Sequence, residues 1–97
     1  MDSLAHSEAK AVQVAEMVKA IAHPMRLRII ALLNEGDQRV IALARQLERS
    51  QSAVSQQLRI LRMCGLVSAL KEGGEVHYTL AEPRLRELVN CLESCER

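Results

Sequence analysis

Aromatic side chains are almost missing from this chain: Tyr78 stands alone among 97 residues, with no Trp and no Phe. A core without large rings must be assembled from Leu, Ile, Val, Ala and Met. A domain this short buries only roughly 60–70% of the surface its unfolded chain exposes. A small aliphatic core gains from pairing with a second copy, so a homodimer is expected. Long apolar runs are missing too. None approaches the ~20 residues that cross a bilayer, and the N-terminus lacks the basic-then-apolar pattern of a secretory signal. Three cysteines suit no disulfide framework, which makes reduced thiols and a cytoplasmic setting the expectation. The sequence has no repeat, no low-complexity segment, no Gly-rich phosphate loop and no nucleophile–base–orienter set. An enzyme is therefore not expected.

The formal net charge is only +1, which by itself says nothing about nucleic acid. Its distribution says more. Between Arg39 and Arg62, five arginines (Arg39, Arg45, Arg49, Arg59, Arg62) face one acid, Glu48, a net of +4. From Glu82 to Arg97, three arginines meet four glutamates, a net of −1. The positive charge gathers around one segment, as an electrostatic footprint for DNA does.

That segment runs from Leu47 to Val67. Val54, Leu58 and Leu61 fall at i, i+4, i+7, the spacing of a buried helical stripe. Opposite them lie Ser, Gln and Arg, which bond base edges and phosphates. Three Ser and three Gln, with no acid, fill the stretch from Ser50 to Gln57. An apolar side backed by short amide, hydroxyl and guanidinium groups suits the major groove. The competing reading is a cap at Ser50 followed by solvated glutamines.

The remaining pattern places this helix in a fold. A first helix is expected over 8–22, capped by Ser7, with Ala11, Ala15, Val18 and Ala22 as its stripe, flanked by Val14 and Ile21. His23-Pro24 ends it, and Pro24 suits the first turn of a second helix. That helix runs to about Asn34, with Leu27, Ile30, Ala31 and Leu33 inward. A third helix over Val40 to Leu47 buries Val40, Leu43, Ala44 and Leu47. With the fourth it forms a helix-turn-helix over 39–64. Gly65 stops the fourth helix. Leu66–Leu70 and Val76–Leu80, joined through Gly73-Gly74, read as a hairpin over 66–80. Pro83 opens a last helix, with Leu85, Leu88, Val89 and Leu92 on one face. The expectation is a single α+β, mainly α domain over 1–97: a winged helix-turn-helix with about five helices and a two-stranded wing. Residues 1–7 are expected to fray, and the helices over 8–22 and 83–97 to form the dimer surface.

Ala22-His23-Pro24-Met25-Arg26-Leu27-Arg28-Ile29, Ser52-x-x-Ser55-Gln56-Gln57-Leu58-x-x-Leu61-Arg62-x-x-Gly65-Leu66-Val67, and Val76-His77-Tyr78-Thr79-Leu80 together resemble the ArsR/SmtB family of bacterial metal- and thiol-responsive repressors. The resemblance covers about residues 10 to 92. It implies a homodimer that binds an operator upstream of its own operon and leaves it when an inducer binds. Gln57 stands where many members have His, which implies a changed operator preference.

On this reading Ser50, Gln51, Ser52, Ser55, Gln56 and Gln57 open the reading helix and meet base edges. Arg45, Arg49 and Arg59 are candidates for phosphate contacts. Lys71 at the hairpin tip either reaches a phosphate in the neighbouring turn or only solubilises the tip. Two reading helices about 34 Å apart would fit an imperfect palindrome of double-stranded DNA, with affinity falling steeply in salt.

The inducer is less legible. Cys91 and Cys95, at i, i+4, share a helix face and could hold a soft ion such as As(III), Cd(II) or Pb(II), with Cys64 as a possible third thiolate. Cadmium- and lead-sensing members have a Cys before Gly-Leu-Val, as Cys64 is here, and a second one turn earlier, where this chain has Ile60. The arsenic-binding Cys-Val-Cys of other members falls on Arg39 and Ile41. The zinc and nickel site needs His on the last helix, which has none. The pair of sulfide- and persulfide-sensing members falls on Ala31 and near Cys95. Metal sensing, thiol-redox or sulfur-species sensing, and purely structural cysteines all stand at this point. So does a protein-interaction winged helix without an inducer. His6, His23 and His77 are isolated and are not expected to be ligands. DNA binding itself is expected to need no cofactor.

Overall fold

The computed structural model describes residues 3–94. Five α-helices surround one antiparallel hairpin: α1 (Glu8–Ile21), α2 (Pro24–Glu35), α3 (Val40–Leu47), α4 (Gln51–Met63), β1 (Val67–Glu72), β2 (Glu75–Leu80) and α5 (Pro83–Glu93). This is the winged helix-turn-helix arrangement expected from the sequence. Residues 4–6 form a single 3-10 turn where fraying was expected, with Ser3 Oγ 2.8 Å from His6 Nδ1.

Local chemistry sets each boundary. Ser7 accepts from the Lys10 amide at the start of α1. Pro24 occupies the first turn of α2, where its missing N–H costs nothing. Two helix ends close through a left-handed residue. After α3 that residue is Glu48 (φ 54°), and the Arg49 amide reaches back to the Ala44 carbonyl. After α4 it is Gly65 (φ 74°), and Leu66 reaches Leu61. Both follow the glycine-type C-cap pattern that satisfies the last carbonyls. The hairpin pairs Val67 with Leu80 through to Glu72 with Glu75, leaving Gly73 and Gly74 as a two-residue turn with positive φ at both positions.

The core is centred on α2. Ile29, Ile30 and Leu33 meet Leu43 and Leu47 of α3, Val54, Leu58 and Leu61 of α4, and Leu85 of α5, all fully buried. The α4 stripe and Leu43, Ala44 and Leu47 of α3 are buried as the periodicity predicts, while Val40 is half-buried against the core.

The terminal helices differ. In α1 only Ala20 and Ile21 are buried, while Val12 and Val18 are about half exposed (51% and 48%) and Ala15 and Ala22 are open. Leu27 on α2 and Leu92 on α5, both expected inward, are exposed and line a shallow apolar groove of about 150 Å³ with Ala31 and Val89. The reason is geometric: α1 meets the body chiefly through its C-terminal end, so its periodic stripe has no cover within one chain. The radius of gyration, 14.5 Å, accordingly exceeds the roughly 12.5 Å of a compact domain this long.

Candidate nucleic-acid interface

Helix α4 carries the site. Val54, Leu58 and Leu61 anchor it in the core, which turns Gln51, Ser52, Ser55, Gln56 and Arg59 outward, all exposed. Ser50 is the N-cap: its Oγ accepts from the Ala53 amide at 3.0 Å. That bond satisfies one of the orphan donors of the first turn and leaves the hydroxyl proton available to donate. Ser50 therefore has a structural task whatever else it contacts.

Gln57 is placed differently from its neighbours. It is half-buried, and its Oε1 is enclosed with no hydrogen-bond partner. The cause is helical spacing: position 57 is three residues past Val54 and one before Leu58, beside the apolar stripe. Gln57, expected to meet a base edge, thus has its amide oxygen turned toward the body, unlike the open Gln51 and Gln56.

Two of the predicted basic residues lie just before the helix in sequence, and a third is on the wing. Arg45 is exposed in the last turn of α3. Arg49 is exposed in the turn, its Nη1 donating to the Glu48 carbonyl at 3.2 Å. Lys71 is exposed opposite Val76 near the wing tip. A guanidinium on a main-chain carbonyl in solvent exchanges readily for a phosphate, which is a stronger, charged acceptor.

The wing is tied to the helix-turn-helix by a contact the sequence does not announce. Gln38, just before α3, forms an isolated bridge with Tyr78 of β2. Its amide donates to the Tyr78 carbonyl at 3.1 Å and its carbonyl accepts from the Tyr78 amide at 2.7 Å. Its side chain donates to the Leu32 carbonyl and accepts from Gln46 on α3. One residue thus joins α2, α3 and the wing. A single bridge has no period, so no pattern could reveal it.

Two of the three thiols fall among the described residues. Cys64 is exposed at the C-cap of α4, and Cys91 is exposed on α5. Cys95 lies outside the described residues. Among the described residues, no three His, Cys, Asp or Glu side chains gather where they could hold a metal ion. Cys64 borders an open cleft of about 380 Å³ with Met17 of α1 and the Glu82–Arg84 pair at the start of α5. In that pair Glu82 accepts from both the Arg84 amide and its guanidinium, each at 3.0 Å. Chiefly through the side-chain bond, and also through the backbone bond, these contacts pull the Glu82 carboxyl down to about 2 and push the Arg84 guanidinium up. No helix among the described residues is long and apolar enough to cross a membrane.

A helix-turn-helix with a wing, its second helix exposing Ser, Gln and Arg on one open side, defines a DNA-binding transcription regulator rather than an enzyme. Residues 23–69 match the bacterial regulatory protein, arsR family. The chain is 36% identical over 85 residues to the biofilm growth-associated repressor of Xylella fastidiosa, covering 88% of this chain and 75% of that protein. The structure of HlyU from Vibrio cholerae superposes with a TM-score of 0.84 at 36% identity, covering 90% of this chain and 95% of that one. A homodimeric winged helix-turn-helix DNA-binding domain from Mycobacterium bovis, a possible ArsR-family regulator, gives a TM-score of 0.77 at 33% identity, covering 90% and 83%. The chain belongs to the ArsR family of bacterial transcription regulators.

Proposed function

We propose that this regulator is a homodimeric repressor that grips an imperfect palindrome through α4 and leaves it when an inducer reacts with its thiols. The observation that carries the DNA half is the division of α4. A fully buried Val54–Leu58–Leu61 stripe backs an open surface of Gln51, Ser52, Ser55, Gln56 and Arg59. Gln pairs bidentately with adenine and Ser with either side. Arg45, Arg49, Arg59 and Lys71 are assigned to phosphates, and the cap at Ser50 keeps the helix N-terminus favourable for an anion.

The dimer rests on uncovered apolar surface: Val12 and Val18 on α1, and Leu92 at 53% exposure on α5. The related domain from Mycobacterium bovis is homodimeric. A dimer through these helices offers two reading heads to one side of a duplex, and the half-site spacing follows from their separation.

The repressor sense follows the Xylella fastidiosa relative; the Vibrio cholerae relative is an activator. For the inducer, Cys91 and Cys95 are the thiols four residues apart in sequence, with Cys64 as a further candidate. A soft ion such as As(III), Cd(II) or Pb(II) is chosen by thiolate ligands. With Cys64 and Cys91 apart from any cluster, such an ion needs Cys95 or thiols of the second subunit. A second reading is favoured by HlyU of Vibrio cholerae having been solved in a reduced form. Here two thiols join as a disulfide, giving two protons and two electrons to a peroxide or sulfane-sulfur oxidant. Either signal needs a coupling of about 1–3 kcal/mol to lower operator occupancy several-fold or more.

Selection of duplexes from a random pool tests the DNA half: recovered sequences should converge on a two-fold pattern. A pool that stays random excludes operator reading and leaves a protein-interaction module. Titrating the selected complex with arsenite, Cd(II), Pb(II), peroxide and sulfane sulfur tests the inducer. Cys91→Ser should bind DNA normally and resist release; normal release of that variant removes the Cys91 site.

A further inference from the structure

A cleft lies between the wing tip and the start of α4. It encloses about 430 Å³, and its walls include Arg39, Gln51, Gly74, Glu75 and Tyr78. Arg39 is the N-cap residue of α3. The backbone pairing of Gln38 with Tyr78 sets it beside the hairpin. There its Nη1 meets Glu75 Oε1 at 3.5 Å, with both side chains about half exposed (47% and 53%). The other carboxylate oxygen of Glu75 lies 3.6 Å from His77 Nε2.

An arginine at the mouth of a cleft, next to an exposed amide on the reading helix, is placed as a phosphate-binding group is placed. Its present partner is a carboxylate, the protein's nearest imitation of a phosphate oxygen pair. The pair is exposed and long, and such pairs contribute little to stability. A DNA phosphate carries full charge and geometry suited to a guanidinium. Exchange of Glu75 for phosphate therefore meets little resistance, and Glu75 keeps His77 as a neighbour on its far side.

We propose that Arg39 is a backbone contact of the DNA complex, seating a phosphate in the cleft between wing and reading helix. Glu75 occupies the guanidinium until DNA displaces it. This rests on the DNA-binding reading above and deepens it. Glu75 acts here as a weak brake on the binding of any duplex, specific or not, because each must first take Arg39 from it.

The test uses the full chain and a mixed-sequence duplex, since phosphates carry no sequence. Arg39→Gln should weaken binding by about three- to tenfold and lower the salt slope by about 0.9 per protomer. Glu75→Gln should strengthen binding by about threefold or more in the native background, in keeping with the release of one cation to the duplex. In the Arg39→Gln background that gain should shrink to the gain given by Glu72→Gln, which removes a wing-tip acid that has no part in the Arg39 pair. Circular dichroism of each variant separates loss of contact from loss of fold. An unchanged salt slope for Arg39→Gln overturns the phosphate seat. A gain from Glu75→Gln that is equal in both backgrounds overturns the brake. A native chain that binds no duplex in low salt overturns the DNA-binding reading along with both, whereas the first two results leave that reading standing.

Discussion

Asn34, one residue before the end of α2, donates from Nδ2 to Oδ1 of Asn90 on α5 at 2.9 Å. Arg86, one turn before Asn90, adds bonds to the Asn34 carbonyl and Oδ1, each at 3.3 Å. The last turn of α2 holds no basic residue of its own, so Arg86 supplies from α5 the positive charge that the helix C-terminus favours. The junction joins α5, which carries Cys91, to the body that carries α4. Asn90→Ala should lower stability by about 0.5–1 kcal/mol. A double-mutant cycle with Asn34→Ala, read by urea denaturation, should give a coupling of about 0.5 kcal/mol. Strict additivity would mean the bond contributes nothing.

Ser50 separates folding from recognition. Ser50→Ala removes the cap and should cost about 1 kcal/mol of stability. Ser50→Asp should restore stability, because aspartate caps as well and suits the helix N-terminus. It should nevertheless weaken DNA binding, because it sets an anion against the phosphates. Thermal melts and duplex binding of the two variants should therefore diverge. If they fall and recover together, Ser50 acts only through the helix.

Glu48 holds a left-handed backbone (φ 54°) between α3 and α4, a conformation unfavourable for most L-residues. Glu48→Gly should fold at least as stably as the native chain. Glu48→Val, β-branched at the same angles, should lose about 1–2 kcal/mol. Denaturant midpoints of the two variants decide this, and equal stability would show that the turn relaxes to another conformation.

Acid should loosen the start of α5 through Glu82. Its carboxyl is lowered to about 2 by the bonds from Arg84. A lowered carboxyl adds stability above its unfolded value, near 4.5, and that contribution drains away as pH falls from there toward about 2. Glu82→Gln should therefore melt below the native chain at neutral pH, and the gap should close across that interval. A gap that is constant with pH would place the effect in packing instead.

The sequence is most legible where one chain supplies both sides of a contact. Leu43, Ala44 and Leu47, and then Val54, Leu58 and Leu61, repeat at helical spacing because each buries its side chain in its own core, and all six are buried. Ala15, Val18 and Ala22 of the expected α1 stripe, and Leu27 and Leu92, obey the same period yet stay open. Periodicity records that a face is covered, without recording whether its cover lies in the same chain. Gln57 looked like its polar neighbours in sequence, but the rotation of α4 set by Val54 and Leu58 enclosed its oxygen. The bridge of Gln38 to Tyr78, and with it the meeting of Arg39 and Glu75, joins residues about forty apart through one backbone pair, and nothing periodic encodes that. The thiols gave spacing alone: Cys91 and Cys95 are a turn apart in sequence, and only Cys91 falls among the described residues.

Base reading by the open side of α4 is tested most directly by the ratio of affinities for the selected duplex and a mixed-sequence duplex, measured across salt for the native chain and for Ser55→Ala/Gln56→Ala. Loss of those two contacts should cut the ratio by about tenfold or more, at roughly 1–3 kcal/mol per good base contact. The salt slope should not change, because the proposed phosphate contacts lie on other residues. A variant that keeps the native ratio would contradict base reading by these side chains.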